Sequence, residues 1–464
     1  MLSSGRNMNV TERIADLVTA TRYEDLPSNV IDLAKPLILD SLAVSIAGTQ
    51  CTLGQLTLKV GSESMRGDDA TVIGGDYKSS VSAAAYINGT LAHALDVDDT
   101  AAGTVAHPSS SIVPALFAVA EKYQLSGKAF LNAYIIGLEV FYRIARASNG
   151  QMRGWHRTSL FGALATATAI AKLLNLSSQQ IQTAIGIAMS FTGGVQVNFG
   201  TMTKAVQVGH ASQSGVMAAM MAMEGCTAHQ NVLGDTLGFG HTFYADEYVT
   251  DKITAEFASP YSIIYPGMAV KIYPCCGLTH CPVDIALDLV ATHDIQPDQV
   301  EDIVVYTEEL VPSVLIHHEP KTGYQGKYSL EYAVAAAIFD RNINFDTFTD
   351  DAVNRPQLQA FLGKIRCKVR PDSDWEPTRI HAWNHCAEIT IRLNDGTKVT
   401  ASQPCARGYP DRPLSTEDIV DKYQQFASPV LAVDAIDALG DKTLKLEEQE
   451  NIADVIGLTR GYSK

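Results

Sequence analysis

Over roughly the first 260 residues, apolar positions recur with a helical period. In VIDLAKPLILDSLAVSIAG (30–48) they repeat at i, i+3 and i+4; Ser28 and Asn29 offer an N-terminal cap and Gly48 ends the run. The same period predicts helices over 79–95, 110–123, 127–148, 160–175, 177–191 and 204–225. Ala, Gly and Ser fill several faces of these segments, the composition of helices packed closely on more than one side. No β-branched alternation is visible in this part of the chain.

Near residue 265 the pattern changes. Residues 271–293 open extended and continue as a helix, and 328–340 is helical. Residues 300–311, 364–371, 387–395 and 397–404 alternate as strands, the last two joined by the hairpin signal Asn394-Asp395-Gly396. After Arg412-Pro413 the helical period returns over 415–427, where Ser415 and Asp418 have capping-box spacing. The expected fold is mainly α: a large all-helical domain built from 1–266 and 409–464, and a smaller α+β domain over 267–408.

Charge then narrows the partners. Thirty-five Lys and Arg stand against 51 Asp and Glu, a formal net charge of −16, which disfavours nucleic acid and anionic membrane surfaces. A small anionic substrate would need a local cluster of cations inside a pocket. No apolar stretch reaches membrane-span length; the longest blocks, such as IVPALFAVA (112–120), are broken by Pro or charge. The N-terminus lacks a secretory apolar core and an Arg-rich transit pattern, so a cytoplasmic protein is expected. Eight cysteines without a CxxC spacing predict reduced thiols and no disulfide framework.

The most unusual string is His93-Ala-Leu-Asp96-Val-Asp98-Asp99-Thr100, followed by Ala106-His107-Pro108-Ser109. Three carboxylates so close repel one another, and a fold does not need them. One reading is a solvated loop of capping aspartates. Another is the DxDxT signature of haloacid-dehalogenase-like phosphoryl transfer, which requires its Asp at the tip of a buried parallel strand; here the string follows an Ala-rich helix. The DxDD acid of helical terpene cyclases needs an aromatic pocket, and aromatics are only 8% of this chain. Acid–base chemistry, with a carboxylate orienting a histidine, is the remaining reading. His107 precedes a helix start rich in serines, where backbone donors favour a carboxylate. His156 (GWHRTS) and Lys204 (MTK) also precede small-residue helices, and Lys271, Cys276 and His280 fall at the domain change, where pockets concentrate. Cys275, Cys276 and His280 lack metal-ligand spacing; His381-x-x-x-His385 has it, with nothing nearby to recruit a metal. No metal site is expected. Gly234 and the GFG at 238–240 form a loop and match no nucleotide motif.

At HALDVDDT…AHPS the sequence resembles the MmgE/PrpD family, and the resemblance continues through GWHRTSLFGALATA, MTKAVQVGHASQSG, KIYPCCGLTH, KYSLEYAVAAAIFD and the late NDGT hairpin. It implies a homodimer with an all-helical domain, an α+β lid and the site between them. It implies Asp96, His107, His156 and Lys204 as catalytic residues, and Thr100, Lys271, Cys276, His280 and Tyr332 as substrate-binding residues. His107 is the implied principal proton donor or acceptor. Some relatives carry His where this chain has Cys276, which leaves substrate choice open. The expected activity is a cofactor-independent lyase (dehydratase or decarboxylase) acting on a small di- or tricarboxylate through His and Lys. The alternative is an epimerase of an imino- or amino-dicarboxylate. Each reaction passes through enolate-like charge that cations stabilise.

Overall fold

The computed structural model describes residues 9–148, 153–371, 374–375 and 386–461. Nine helices form most of the larger layer: α1 (Val10–Ala20), α2 (Ser28–Gly48), α3 (Thr52–Ser64), α4 (Val81–His93), α5 (Ser109–Tyr123), α6 (Gly127–Ala147), α7 (Arg157–Leu173), α8 (Ser178–Phe191) and α9 (Thr203–Met223). The small residues that fill their faces allow close approach. A Cβ at Gly209 would lie 2.1 Å from Thr90 Oγ1 and 2.4 Å from the Tyr86 carbonyl oxygen, so α9 lies almost backbone to backbone on α4. A Cβ at Gly215 would lie 2.5 Å from Thr166 Cβ, which brings α7 equally near. This packing gathers the end of α4 with the starts of α5, α7 and α9.

Helix positions follow the apolar period closely. One start differs: α2 begins at Ser28 behind Pro27, whose fixed φ suits that position, so Ser28 and Asn29 lie inside the helix. A small hairpin, β1 (Arg66–Thr71) with β2 (Lys78–Ser79), has no counterpart in the predicted elements. RGDDAT lacks apolar alternation, and side chains elsewhere hold the pair. The Glu121 carboxylate accepts from the Thr71 N–H (2.6 Å) and hydroxyl (2.8 Å), and Asn88 bridges Ile73 N–H and the Thr71 carbonyl, both at 3.0 Å.

The smaller α+β domain is built on a four-stranded sheet of order β6-β5-β7-β8: β5 (Val300–Thr307), β6 (Ile365–Val369), β7 (Ala387–Leu393) and β8 (Lys398–Gln403). β5 pairs parallel to β6 and antiparallel to β7, and β7 pairs antiparallel to β8. Val300, Ile303 and Val305 of β5 and Ala387, Ile389 and Ile391 of β7 face inward, against helices His280–His293 and Leu330–Asp340. The β7–β8 turn places Gly396 at φ +87°, a left-handed conformation that glycine adopts without strain. His381 and His385 lie outside the described residues; Cys386 is buried just ahead of β7. All eight cysteines are free thiols.

After the sheet the chain returns to the helical layer. Helix Thr416–Ala427 starts with the Ser415/Asp418 capping box and packs on α2. Two large hydrophobic cores result, with a small cluster of Leu53, Ala94 and Ala205 besides. One draws on α1–α9 and on residues 419–456; the other surrounds the sheet. Two features stitch them together. The two-residue strand β3 (Thr100–Ala101) pairs with β4 (Met268–Ala269), tying the acidic string to the entry into the α+β domain. Phe199, from the α8–α9 connection, is buried in the sheet's core. Among the described residues no helix is long and apolar enough to cross a membrane.

Gly209→Ala should force α9 away from α4, because the opposing atoms include backbone that cannot rotate aside. Overpacking of this kind costs about 1–3 kcal/mol, which a urea or thermal melt would register as a lower midpoint.

Candidate active site

Helix termini place most of the chemistry. His93 ends α4, and the acidic string follows. His107 stands just before Pro108, the N-cap of α5; His156 is the N-cap of α7; Lys204 is the second residue of α9. Lys271 enters from the segment leading into the α+β domain, and Tyr328 lies one residue before Ser329, the N-cap of helix Leu330–Asp340. All are buried.

Asp96 is the hub. It adopts φ +57°, and its Oδ1 accepts from Lys271 Nζ at 2.6 Å and Lys204 Nζ at 3.1 Å, while Oδ2 accepts from the Tyr328 hydroxyl at 2.6 Å. Lys271 also donates to the Asp96 carbonyl oxygen at 3.1 Å. Burial alone would lift this carboxyl, but the two ammonium groups overcome it and hold Asp96 well below the usual carboxylate range. Burial lowers Lys204, whereas Lys271, with the shorter contact, is raised by Asp96 against its own desolvation. Lys327 donates to the Leu95 carbonyl oxygen beside this cluster, and burial pushes it down to about 8.

The other two carboxylates of the string have separate environments. Asp98 Oδ2 accepts from His93 Nδ1 at 2.7 Å and lies 3.7 Å from His107 Nδ1; these rings outweigh burial and keep Asp98 ionised. Asp99 bonds to neither lysine. Ser109 donates to it from backbone and hydroxyl, and the Ser109 hydroxyl lies 2.8 Å from the Tyr134 hydroxyl. Burial, reinforced by Asp40 and Asp98, raises Asp99 well above the carboxylate range, which favours its neutral form.

Three imidazoles stand together. The ring centroids of His93 and His107 are 4.9 Å apart, and those of His93 and His156 are 5.9 Å apart. Hydrogen bonds fix their tautomers. His107 Nδ1 lies 2.7 Å from the Asp99 carbonyl oxygen, which can only accept, so Nδ1 carries the hydrogen; Thr100 Oγ1 is 3.3 Å from the same atom. Gln207 Nε2 donates to the Val195 carbonyl oxygen at 3.2 Å, so its Oε1 faces His156 Nδ1 at 2.7 Å and accepts from it. His93 donates from Nδ1 to the Asp98 carboxylate. In each ring Nε2 is left as the working atom, and Nε2 of His93 and of His156 is buried without a hydrogen-bond partner. Burial lowers all three imidazoles below their ordinary range; Lys204 and Lys271 add to the effect on His107, and Lys204 on His156. At neutral pH the site therefore holds neutral Nε2 bases beside two ammonium groups.

Phe199 covers the cluster. Its ring lies edge-on to His156 (5.2 Å) and near Tyr328 (5.4 Å), and Lys204 Nζ is 5.7 Å and 5.6 Å from the Phe199 and Tyr328 ring centroids.

Ligand atoms of His93, Asp98 and His107 lie within 4.8 Å of one another, a grouping that suits a metal ion. The Nδ1 atoms, as bonded here, do not suit one. His107 Nδ1 carries a hydrogen shared with a carbonyl oxygen, and His93 Nδ1 gives its hydrogen to Asp98, so neither nitrogen presents a lone pair there.

The structure brings together Asp96, Thr100, His107, His156, Lys204 and Lys271. Cys276 lies near them, with its N–H donating to the Lys327 carbonyl oxygen at 3.1 Å, and burial raises its thiol to about 11. Two expected substrate-binding residues point elsewhere. Tyr332 is on the first turn of its helix; its hydroxyl donates to the Thr347 carbonyl oxygen and its ring packs on Phe348 in the sheet's core. Tyr328, four residues earlier, is the tyrosine on Asp96. His280 has Nε2 3.3 Å from the Cys275 carbonyl oxygen and its ring edge-on to Tyr273 at 5.1 Å, contacts internal to the α+β domain. His93 and Asp98 stand in the unusual acidic string without a site role assigned to them from sequence, and Gln207 and Phe199 carry no sequence signal. The DxDxT spacing is not on a parallel strand tip: it follows α4 and runs into the antiparallel β3.

A helical body and a smaller α+β domain thus meet at a cation-rich, acid–base site. The chain matches the MmgE/PrpD N-terminal domain over residues 12–251 and the MmgE/PrpD C-terminal domain over 273–446. It belongs to the MmgE/PrpD family. It is 30% identical to human cis-aconitate decarboxylase over 473 residues, covering 98% of this chain and 95% of that protein. It is 26% identical to cis-aconitate decarboxylase of Aspergillus terreus over 480 residues (98% and 96%). It is 24% identical to the mitochondrial 2-methylcitrate dehydratase of Yarrowia lipolytica over 421 residues (84% and 77%).

In histidine-labelled protein, ¹⁵N NMR should show His107 and His156 as Nδ1–H tautomers at pH 7, titrating below the ordinary imidazole range. A bound polycarboxylate adds negative charge and favours the imidazolium, so their titration should move upward and binding should take up protons. Titration unchanged by a bound anion would contradict this electrostatic picture.

Proposed function

We propose that this protein is a lyase acting on a small di- or tricarboxylate, with decarboxylation of a cis-aconitate-like substrate as its reaction. The observation that carries the reading is the buried pairing of Asp96 with Lys204, Lys271 and Tyr328 beside three imidazoles, of which His93 and His156 have Nε2 buried without a partner. Small anions bind well where ammonium groups and helix starts converge away from water. Similarity to cis-aconitate decarboxylases spans nearly the whole chain, while similarity to the dehydratase is lower and shorter, which favours carbon–carbon over carbon–oxygen cleavage.

The roles follow from the geometry. Lys204 and Lys271 hold substrate carboxylates and stabilise the charge that develops as carbon dioxide leaves. In an unsaturated tricarboxylate, the electron pair of the breaking C–C bond forms a new C=C. The old π pair then becomes carbanion character next to a remaining carboxylate. His107 Nε2, protonated once the substrate's charge is present, delivers the proton to that carbon. Asp99, through its carbonyl oxygen, and Thr100 keep the ring turned so that Nε2 faces the substrate. His156 is the second acid–base group, oriented by Gln207. Asp96 sets the positions of both lysines. Each proposed step uses groups of this chain.

Incubation with cis-aconitate, citrate, 2-methylcitrate and iminodisuccinate in D₂O, followed by NMR, tests the reading. The expected result is carbon dioxide loss from cis-aconitate with one deuterium entering the product. Deuterium exchange of iminodisuccinate without elimination would point to epimerisation, and water loss from 2-methylcitrate to a dehydratase. His107→Ala should lower kcat by about 10²–10⁴-fold with substrate affinity less affected. Full activity in that variant would remove His107 from the mechanism.

A further inference from the structure

We propose that Lys422, in the C-terminal helix Thr416–Ala427, is a positioning residue that sets the spacing between Asp96 and Lys271. The inference rests on the functional reading above only for its kinetic arm. Lys422 is 151 residues beyond Lys271 in sequence and 325 beyond Val97, yet its ammonium touches both. Nζ donates to the Val97 carbonyl oxygen at 2.9 Å and to the Lys271 carbonyl oxygen at 2.9 Å, and forms an ion pair with Asp40 of α2 at 2.7 Å. Two of the ammonium's three hydrogens go to these carbonyl oxygens, and Asp40 stands beside it as the counter-charge.

The choice of carbonyls gives the arrangement its meaning. Val97 lies between Asp96 and Asp98, and Lys271 is itself the shorter cation contact to Asp96. A single buried point charge therefore grips the backbone of the carboxylate loop and of the lysine segment from behind. On the front side, Lys271 Nζ reaches back to the Asp96 carboxylate and carbonyl. The two segments are thus tied twice, once through the Lys422 ammonium and once through the Lys271 ammonium. Burying a lysine merely to balance Asp40 would leave its other two hydrogens free to find any acceptor. Both instead go to these two segments. Lys422 is 9% exposed and Asp40 1%, so neither is a surface pair held loosely. A shift of about 1 Å between reacting groups can cost on the order of 100-fold in rate, which is the scale on which such a clamp would act.

Lys422→Met removes the clamp but strands a buried carboxyl at Asp40, so that variant alone could fail by unfolding. The decisive protein is the double variant Asp40→Asn/Lys422→Met, which removes both charges together. It is measured beside Lys422→Arg and beside Ile419→Val, a core change on the same helix. The readouts are thermal melting, kcat and KM on the turned-over polycarboxylate, and amide hydrogen exchange over residues 94–101 and 268–274. The double variant should melt cooperatively, lose kcat on the order of 100-fold with a smaller change in KM, and exchange faster in both segments. Ile419→Val should leave kcat and that exchange as in the wild type, and Lys422→Arg should recover part of the rate. A folded double variant with wild-type kcat and wild-type exchange would overturn the proposal and leave Lys422 as a counter-charge for Asp40. If wild-type protein turns over no polycarboxylate, the functional reading fails by itself. The exchange comparison then decides the clamp alone: faster exchange supports it and unchanged exchange overturns it.

Discussion

The structure depends on keeping one carboxylate ionised without water. Asp96 is buried, and a buried ion is tolerated only when its partners are close, charged and fixed. Here they come from three places: Lys204 from α9, Lys271 from the domain junction, and Tyr328 from the α+β domain. The charge therefore fastens the two domains at the point where they meet. Removing any one partner would take a hydrogen bond from a carboxylate in a low-dielectric interior, so site and domain junction are a single electrostatic object.

The same principle resolves the repulsion built into the acidic string. Its carboxylates are not held in one condition. Asp96 is ionised between lysines, Asp98 is ionised against histidines, and Asp99 is driven toward its neutral form beside Ser109 and Tyr134. Neighbours in sequence are separated in state because each turns to a different environment. The imidazoles benefit in turn. Asp98, the Asp99 carbonyl oxygen and Gln207 each take an Nδ1 hydrogen, so three rings present the same kind of nitrogen to the interior.

Much of the fold was legible because helices this apolar and strands this regular carry their period openly. The helices of α2 and α4–α9, the four strands of the sheet and the Asn394–Gly396 turn lie within a few residues of where the pattern puts them. The β1–β2 hairpin was not legible, because Glu121 and Asn88, distant in sequence, hold it in place of an apolar face. The site was legible where chemistry sat at a helix start: His107, His156 and Lys204 all do. The same rule would have preferred Tyr328 over Tyr332, since Tyr328 precedes the N-cap while Tyr332 lies on the turn that packs into the sheet's core. His93 reads as an ordinary last residue of an Ala-rich helix, and Asp98 as one of three carboxylates. Only the folded geometry pairs them.

Phe199 gives the junction a mechanical property of its own. The side chain is rooted in the connection between α8 and α9, yet it is buried among residues of the opposite core, and its carbonyl oxygen is held by His317 at 3.1 Å. Any parting of the two halves must draw this ring out of its socket. The same withdrawal strips the aromatic roof from Lys204 and the flank from His156, so uncovering the cation and wetting the base are one event and not two.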